Sequence, residues 1–312
     1  MKMLLRAGTE SDKLSQVQTD LVCQFLKNAV PEVALEKKIV SPGNGNRERV
    51  TPFFVQAKRG AGEREIFRAV KDGRVDFIVQ SLKHVPVFEG EIGLTIAGVL
   101  ERSSPAEVFV SRDHLPLRNL THGSIVETSN SVRLAQLRRV RGDVQARTVD
   151  GTLEVRIRRV EEGECDGAIL SEAGLSRLGM TEKIAERLAI SDFVTFPGQG
   201  IIAIVTRNDN QGAISLLKML DHRSTRAEAE AERQLVRTFS KECDAPVAAL
   251  ANASGDRVQI IARVLSQDGQ EKVDVTSTGN ITEAQGVGVR AGRELVSSGA
   301  KRLEDSWKKR RR

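Results

Sequence analysis

Residues 123–140 read Gly123-Ser124-Ile125-Val126-Glu127-Thr128-Ser129-Asn130-Ser131-Val132-Arg133-Leu134-Ala135-Gln136-Leu137-Arg138-Arg139-Val140. A short run at 123–126 predicts a strand. Thr128, Ser129, Asn130 and Ser131 are all helix-capping types, because a short polar side chain can accept a hydrogen bond from the open amides of a first turn. A helix from Val132 to Val140 follows. Downstream, Asp166-Gly167-Ala168-Ile169-Leu170 repeats the theme: a buried strand, then a helix from Glu172 to Leu178. Upstream, a strand over 2–8 precedes a helix from Asp12 to Asn28, with Leu14, Val17, Leu21, Val22 and Phe25 at helical spacing. Glu36–Val40 predicts a strand. Glu63–Val70 predicts a helix closed by Lys71-Asp72-Gly73. Val75–Val79 predicts a strand running into the polar loop Gln80-Ser81-Leu82-Lys83-His84. Strand Ile201–Val205, a charged helix Arg226–Phe239, an apolar run Ala248–Ala251, strand Arg257–Leu265 and helix Glu283–Leu295 complete the chain. Such alternation predicts an α/β protein with mostly parallel sheets.

In open α/β sheets ligands bind beyond the carboxyl ends of the strands. Loops 6–12, 80–86 and 126–133 occupy that position. The helix start at Ser129 offers backbone amides, a seat for a carboxylate or phosphate. From the residues alone, the expectation is a two-lobed α/β protein that binds an anionic small molecule.

Composition narrows the class. With 312 residues, 39% hydrophobic and 29% charged, the chain is long enough for several cores without metal or disulfide staples. Cys23, Cys165 and Cys243 are too far apart in sequence for a zinc or iron–sulfur pattern, and no metal is expected. Three thiols and no secretory signal imply a reducing cytoplasm. No apolar run reaches the length of a membrane span. The net charge is +6, but Lys308 to Arg312 are all basic, and the remainder is close to neutral. Ten Phe, one Trp and no Tyr leave few platforms for stacking bases, so no nucleic-acid partner is expected.

Several segments resemble the hydroxymethylbilane synthase (porphobilinogen deaminase) family. Gln80-Ser81-Leu82-Lys83-His84-Val85-Pro86 is similar to the family's His-Ser-(Leu/Met)-Lys-Asp-Val-Pro loop. Thr128-Ser129 through Arg133, then Gln136-Leu137, resembles Gly-Thr-Ser-Ser-Leu-Arg-Arg…Gln-Leu. Asp166–Leu170 with Ala173-Gly174-Leu175-Ser176-Arg177-Leu178-Gly179 resembles Asp-Ala-Ile-Ile-Leu-Ala…Ala-Gly-Leu…Arg-Leu-Gly. Pro197-Gly198-Gln199-Gly200 and Ala231-Glu232-Arg233…Cys243…Pro246 match two further signatures in order and spacing.

The resemblance implies three domains: two periplasmic-binding-protein-like lobes plus a smaller C-terminal α/β domain. Domain 1 would comprise 1–102 and 197–220, domain 2 residues 103–196, and domain 3 residues 221–312. It implies a monomer that joins four porphobilinogens in tetrapyrrole biosynthesis, releasing ammonia. It also implies a dipyrromethane cofactor held by a thioether on Cys243. Arg133, Arg156 and Ser129 would hold that cofactor. Arg177, Thr128 and Arg59 would hold substrate carboxylates, and Lys83 and His84 would stand at the catalytic loop.

The chain departs from the family at several of these places. His84 stands where the family has its catalytic aspartate; its charged form repels the cation the reaction generates. Glu10 replaces an arginine, and at about 4 Å and an effective dielectric near 20 it opposes a substrate carboxylate by about 4 kcal/mol. Val132 and Val55 replace basic residues. Glu127 replaces a glycine, and its carboxylate competes for the anion seat. Lys241-Glu242 replaces a pair of glycines beside Cys243. Arg141–Arg147 matches a family motif by letters, but gap-free flanks place that motif at Asp150–Arg156, which loses its leading arginine and keeps Arg156. Two readings therefore stand: a transferase of the tetrapyrrole pathway, or an impaired paralogue that binds an anionic small molecule on the same fold.

Overall fold

The structure, a computed structural model, describes residues 4–41 and 65–308. The first part of the chain runs β1 (Leu4–Thr9), α1 (Lys13–Ala29), β2 (Ala34–Ile39), α2 (Glu65–Lys71), β3 (Phe77–Ser81) and β4 (Leu94–Val99). It continues through β5 (Glu107–Ser111), β6 (Ile125–Thr128), α3 (Ser131–Val140), β7 (Gln145–Thr148), α4 (Leu153–Glu161), β8 (Gly167–Ser171), α5 (Glu172–Leu178) and β9 (Glu186–Arg187). The last part is β10 (Ile202–Arg207), α6 (Gln211–Leu217), α7 (Arg223–Phe239), β11 (Val247–Ser254), β12 (Arg257–Leu265), β13 (Lys272–Asn280), α8 (Ala284–Leu295) and α9 (Lys301–Lys308).

The chain forms two compact units. One comprises residues up to Arg102 with Ile201–Arg226; the other comprises Ser103–Gly200 with Ala227–Arg312. The first holds a five-stranded sheet in the order β2-β1-β3-β10-β4, and the second holds a five-stranded sheet β7-β6-β8-β5-β9 and a meander β11-β12-β13. The two large sheets share one pattern. β1 runs parallel to β2 and β3, β3 antiparallel to β10, and β10 antiparallel to β4. Likewise β6 runs parallel to β7 and β8, β8 antiparallel to β5, and β5 antiparallel to β9. The expected α/β class with two like lobes and a smaller C-terminal sheet is the architecture observed, but the sheets are mixed rather than mostly parallel: β10, β4, β5 and β9 join by antiparallel pairing, and the meander is wholly antiparallel.

Burial explains which strands lie where. Every residue of β3 and β8 is buried, as befits strands covered on both faces. β2 lies at an edge and carries Glu36, Lys37 and Lys38, charges that discourage further strand pairing. The first core is built from Leu5, Ala7, Val22, Leu26, Phe77 and Ile204. The second large sheet packs Phe109, Val126, Leu137, Ile169 and Phe193.

One boundary also changes. The loop expected from Gln80 is strand as far as Ser81, because β10 pairs with both residues (Ala203 with Gln80, Ile202 with Ser81). The C-terminal meander lies in the second compact unit. The Ala249 amide donates to the Thr195 carbonyl at 2.9 Å, and Arg138 donates to the Gln267 carbonyl at 2.7 Å. Gly269 makes that packing possible: its φ is +77°, and a Cβ there would lie 2.4 Å from the Ala135 carbonyl oxygen.

Candidate functional site

In the second unit the site grows from the end of β6. Thr128 closes that strand fully buried, and its hydroxyl has no hydrogen-bond partner. Asn130, not Ser129, caps α3: its Oδ1 accepts from the Val132 amide at 2.8 Å and the Arg133 amide at 3.4 Å. The anion seat expected at the Ser129 turn is thus filled by a side chain of the protein. Ser129 has a different partner, since its Oγ accepts from Arg156 Nη1 at 2.8 Å. Arg156 reaches there from the first turn of α4, which Thr152 caps through the Val155 amide.

Arg156 also donates to the Gly151 carbonyl at 3.2 Å, so its hydrogen-bond partners are neutral. Burial, and then the like charge of Arg133, push its pKa down to about 10. It remains a cation at neutral pH, half-buried and without a salt bridge. Arg177, in the last turn of α5, is similar. It donates to the Gly200 carbonyl at 2.7 Å and to Ser103 Oγ at 3.2 Å, while its buried Nε has no partner. Burial lowers its pKa to about 10.

Arg133 behaves differently. Its guanidinium is buried and forms a two-point pair with Glu107 (2.8 Å and 2.7 Å). It also donates to Gln199 Oε1 at 2.9 Å and to the Ile169 carbonyl at 3.3 Å. Gln199 in turn donates to the Pro105 carbonyl at 2.8 Å. Arg133 therefore ties α3 to β5, β8 and the 199 turn. Glu107, its anchor, was not anticipated from the sequence; the one available signal was a charge heading the apolar run Val108-Phe109-Val110.

Glu127 does not enter the anion seat. It faces the opposite side of β6 from Thr128, as strand alternation requires, and pairs with Arg159 at 2.8 Å and 2.9 Å. That pairing holds its carboxyl below the usual carboxylate range. Of the two candidate motif placements, Arg147 is exposed and donates to Gln145 Oε1 at 2.9 Å, whereas Arg156 reaches Ser129.

Cys243 lies in the turn after α7 and is 2% exposed, with its sulfur 4.0 Å from the Ala300 carbonyl. Burial pushes its thiol up to about 11. Lys241 and Glu242 beside it are exposed. In the first unit, Lys83 and His84 lie in a tight turn, Leu82–His84, directly after β3; both are half-buried. Glu10 follows β1, and its Oε2 accepts from Gln80 Nε2 at 3.2 Å. Arg59 and Val55 lie outside the described residues.

The family model described as "Porphobilinogen deaminase, dipyromethane cofactor binding domain" matches residues 5–215, and that described as "Porphobilinogen deaminase, C-terminal domain" matches residues 226–297. The chain belongs to the porphobilinogen deaminase family. It is 36% identical over 301 residues to a protein of Nitrosopumilus maritimus named "Probable porphobilinogen deaminase", covering 96% of each chain. It is 33% identical over 295 residues to "Porphobilinogen deaminase" of Syntrophomonas wolfei, covering 95% of this chain and 96% of that one. Among solved structures, the methionine-binding protein MetQ aligns with a TM-score of 0.43 at 14% identity, covering 76% of this chain and 94% of that one.

The cofactor of porphobilinogen deaminases carries carboxylate arms, and the second unit fits such a group. Two half-buried guanidiniums, Arg156 and Arg177, have only neutral partners. A buried hydroxyl, Thr128, and a buried N–H, Arg177 Nε, lack partners altogether. Buried polar groups are ordinarily satisfied, so an unpartnered N–H on the Arg177 guanidinium leaves a donor for an anionic acceptor. The high pKa of Cys243 disfavours a thiolate but not a thioether, which carries no charge.

Proposed function

We propose that this chain is a hydroxymethylbilane synthase-type transferase that joins four porphobilinogens stepwise, releasing ammonia at each addition, with a dipyrromethane attached through Cys243. The observation that carries this reading is that Arg156, on Ser129, and Arg177, on the Gly200 carbonyl, are salt-bridge-free guanidiniums in the second unit of a chain of this family. When bound, the cofactor supplies the free pyrrole carbon that accepts the first substrate.

The protein's own residues do the holding. Arg156 with Ser129, and Arg177, take up carboxylates through charge-assisted hydrogen bonds, which are about twice as strong as neutral ones; Thr128 is assigned a substrate carboxylate. Arg133 keeps α3 and the 199 turn in register through Glu107 and Gln199, and so aims Ser129 and Arg156. Arg59 is assigned a carboxylate of the substrate. Lys83 and His84 line the first-unit turn; Lys83 offers a cation and His84 a group able to move protons near neutral pH. We place the protein in the cytoplasm as a monomer: three free thiols suit a reducing compartment, and the resemblance supports the oligomeric state.

Intact mass of the purified protein, before and after incubation with porphobilinogen, tests the reading. The expected result is a covalent dipyrromethane that disappears in Cys243→Ser. A bare polypeptide mass that porphobilinogen leaves unchanged would turn the conclusion to the impaired paralogue, for which the exchanges at Glu10 and His84 are the sequence observation. An adduct surviving in Cys243→Ser would remove Cys243 from its role.

A further inference from the structure

The turn that carries Cys243 packs against the last helix of the chain. The Glu242 and Cys243 amides both donate to the Phe239 carbonyl, at 3.1 Å and 3.0 Å, and close the turn after α7. Lys241, Glu242 and Asp244 are exposed, whereas Cys243 is buried. Its sulfur meets the Ala300 carbonyl at 4.0 Å. Ala300, also buried, immediately precedes α9. Residues four apart share a helix face, so Glu304 lies on the Ala300 side of α9. Glu304 is 7% exposed, and a glutamate is rarely so deeply buried unless paired. Its Oε1 pairs with Lys308 Nζ at 2.7 Å, and Lys308 is exposed. The order from inside to outside is thus thiol, carboxylate, ammonium.

We propose that Glu304 is the general base of cofactor attachment, taking the proton from the Cys243 thiol as its sulfur bonds to the first porphobilinogen. The inference rests on the proposed function above and adds a residue to it; Glu304 lies beyond residues 226–297, which the C-terminal family model matches. Burial above all keeps the thiol protonated; the Glu304 charge, and a hydrogen bond to its carboxylate, add to that effect against the opposing Ala245 amide. At neutral pH the thiolate, the ordinary nucleophile, is therefore scarce, and the proton must leave during the attack. Glu242 and Asp244 also carry carboxylates beside Cys243, but both are exposed. A carboxylate has two oxygens with about four acceptor sites, so the hold of Lys308 on Glu304 is compatible with its receiving a proton.

The chemistry needs such a base. The bond between the substrate's methylene carbon and its ammonium nitrogen breaks, and ammonia leaves with the electron pair. A sulfur lone pair bonds to that methylene carbon. The sulfur gains positive charge as it does so, and its S–H becomes strongly acidic, so a carboxylate suffices to remove the proton. The S–H electron pair stays on sulfur, which ends as an uncharged thioether. Glu304 then passes its proton to the ammonia, which departs as ammonium, and the carboxylate is restored.

The test uses full-length, cofactor-free protein, made in cells that produce no porphobilinogen. Porphobilinogen is added, and attachment of the dipyrromethane is followed over time by intact mass. Glu304→Gln is expected to slow attachment roughly 100-fold, the scale of a lost general base. Glu304→Asp keeps a carboxylate but draws it back by one methylene, and is expected to load at an intermediate rate. Lys308→Ala removes the exposed partner and leaves the carboxylate, and is expected to load at close to the wild-type rate, since exposed pairs contribute little. Circular dichroism checks that each variant folds; if Glu304→Gln does not, Glu304→Asp and Lys308→Ala decide. Wild-type loading in a folded Glu304 variant, or equal slowing by Lys308→Ala, would overturn the assignment and leave the proposed function standing. A wild-type protein that acquires no adduct would instead bring down the proposed function, and this inference with it.

Discussion

Arg133 and Arg156 are two arginines of one neighbourhood with opposite duties, and their substitutions should separate cleanly. Arg133 is 4% exposed and satisfied by Glu107, Gln199 and Ile169. Arg133→Met strands the Glu107 carboxylate, itself 1% exposed, and breaking a buried pair from one side costs about 3–5 kcal/mol. Urea denaturation should register that loss, and Arg133→Met with Glu107→Leu should recover most of it, since well-packed apolar replacements of buried pairs are often neutral. Arg156 has no salt bridge to lose. Arg156→Met should leave the melting temperature of the cofactor-free protein unchanged or raised while lowering the fraction of protein that acquires the dipyrromethane, read by intact mass, by about 10-fold or more, the scale of one charged hydrogen bond. Equal destabilisation by both changes would refute the division of labour. In sequence both read alike, as candidate carboxylate contacts. What told them apart was Glu107, a residue no motif marked, brought in by strand pairing of β5 with β8.

Helices α7 and α8 meet through a notch of small residues. A Cβ on Gly288 would stand 2.2 Å from the Ala231 carbonyl oxygen, and one on Gly292 would stand 2.9 Å from that of Leu235. Backbone cannot yield as a side-chain tip can, so Gly288→Ala forces the helices apart and should destabilise by about 1–3 kcal/mol. Thermal unfolding followed by circular dichroism would show it; an unshifted midpoint would mean that the helices separate freely. Legibility at this scale followed signal strength. Helices 131–140, 172–178 and 284–295 and strand 257–265 lie within a residue or so of their expected bounds, because caps and apolar period agree there. β13 went unread although Val273, Val275 and Ser277 alternate inward, since threonines and a glycine dilute the pattern. α4 is signalled in sequence by Thr152 as its cap, a weak clue inside the Asp150–Arg156 stretch. β9, two residues long, carries no pattern to read.

For the molecule as a whole, the thiols set an alkaline limit. Burial pushes Cys243 and Cys23 from 9.0 to about 11 and Cys165 to about 12. Folding thus favours the protonated thiols. Their contribution to stability is intact below about pH 9 and is lost as pH rises through 11 to 12. Stability of the cofactor-free protein should fall across that window, and a Cys165→Ala variant should fall less steeply; a flat profile from pH 8 to 12 would contradict the burial of these groups. At the acid end, Glu127 and Asp76, both held below the usual range, lose their arginine partners as pH drops, and stability falls there too.

The lobe architecture was legible because strand–helix alternation repeats. The contacts between the C-terminal sheet and the second lobe, such as those at Gly269 and Thr195, depend on backbone approach that no side-chain pattern signals. The shared strand order of the two large sheets has a consequence for how such a protein changes over generations. Each sheet closes its own core, and its strand-end loops project from an already completed scaffold. Residues in one set of loops can drift without disturbing the folding of the other lobe. Selection can then retune the chemistry of one half while the other keeps its inherited grip.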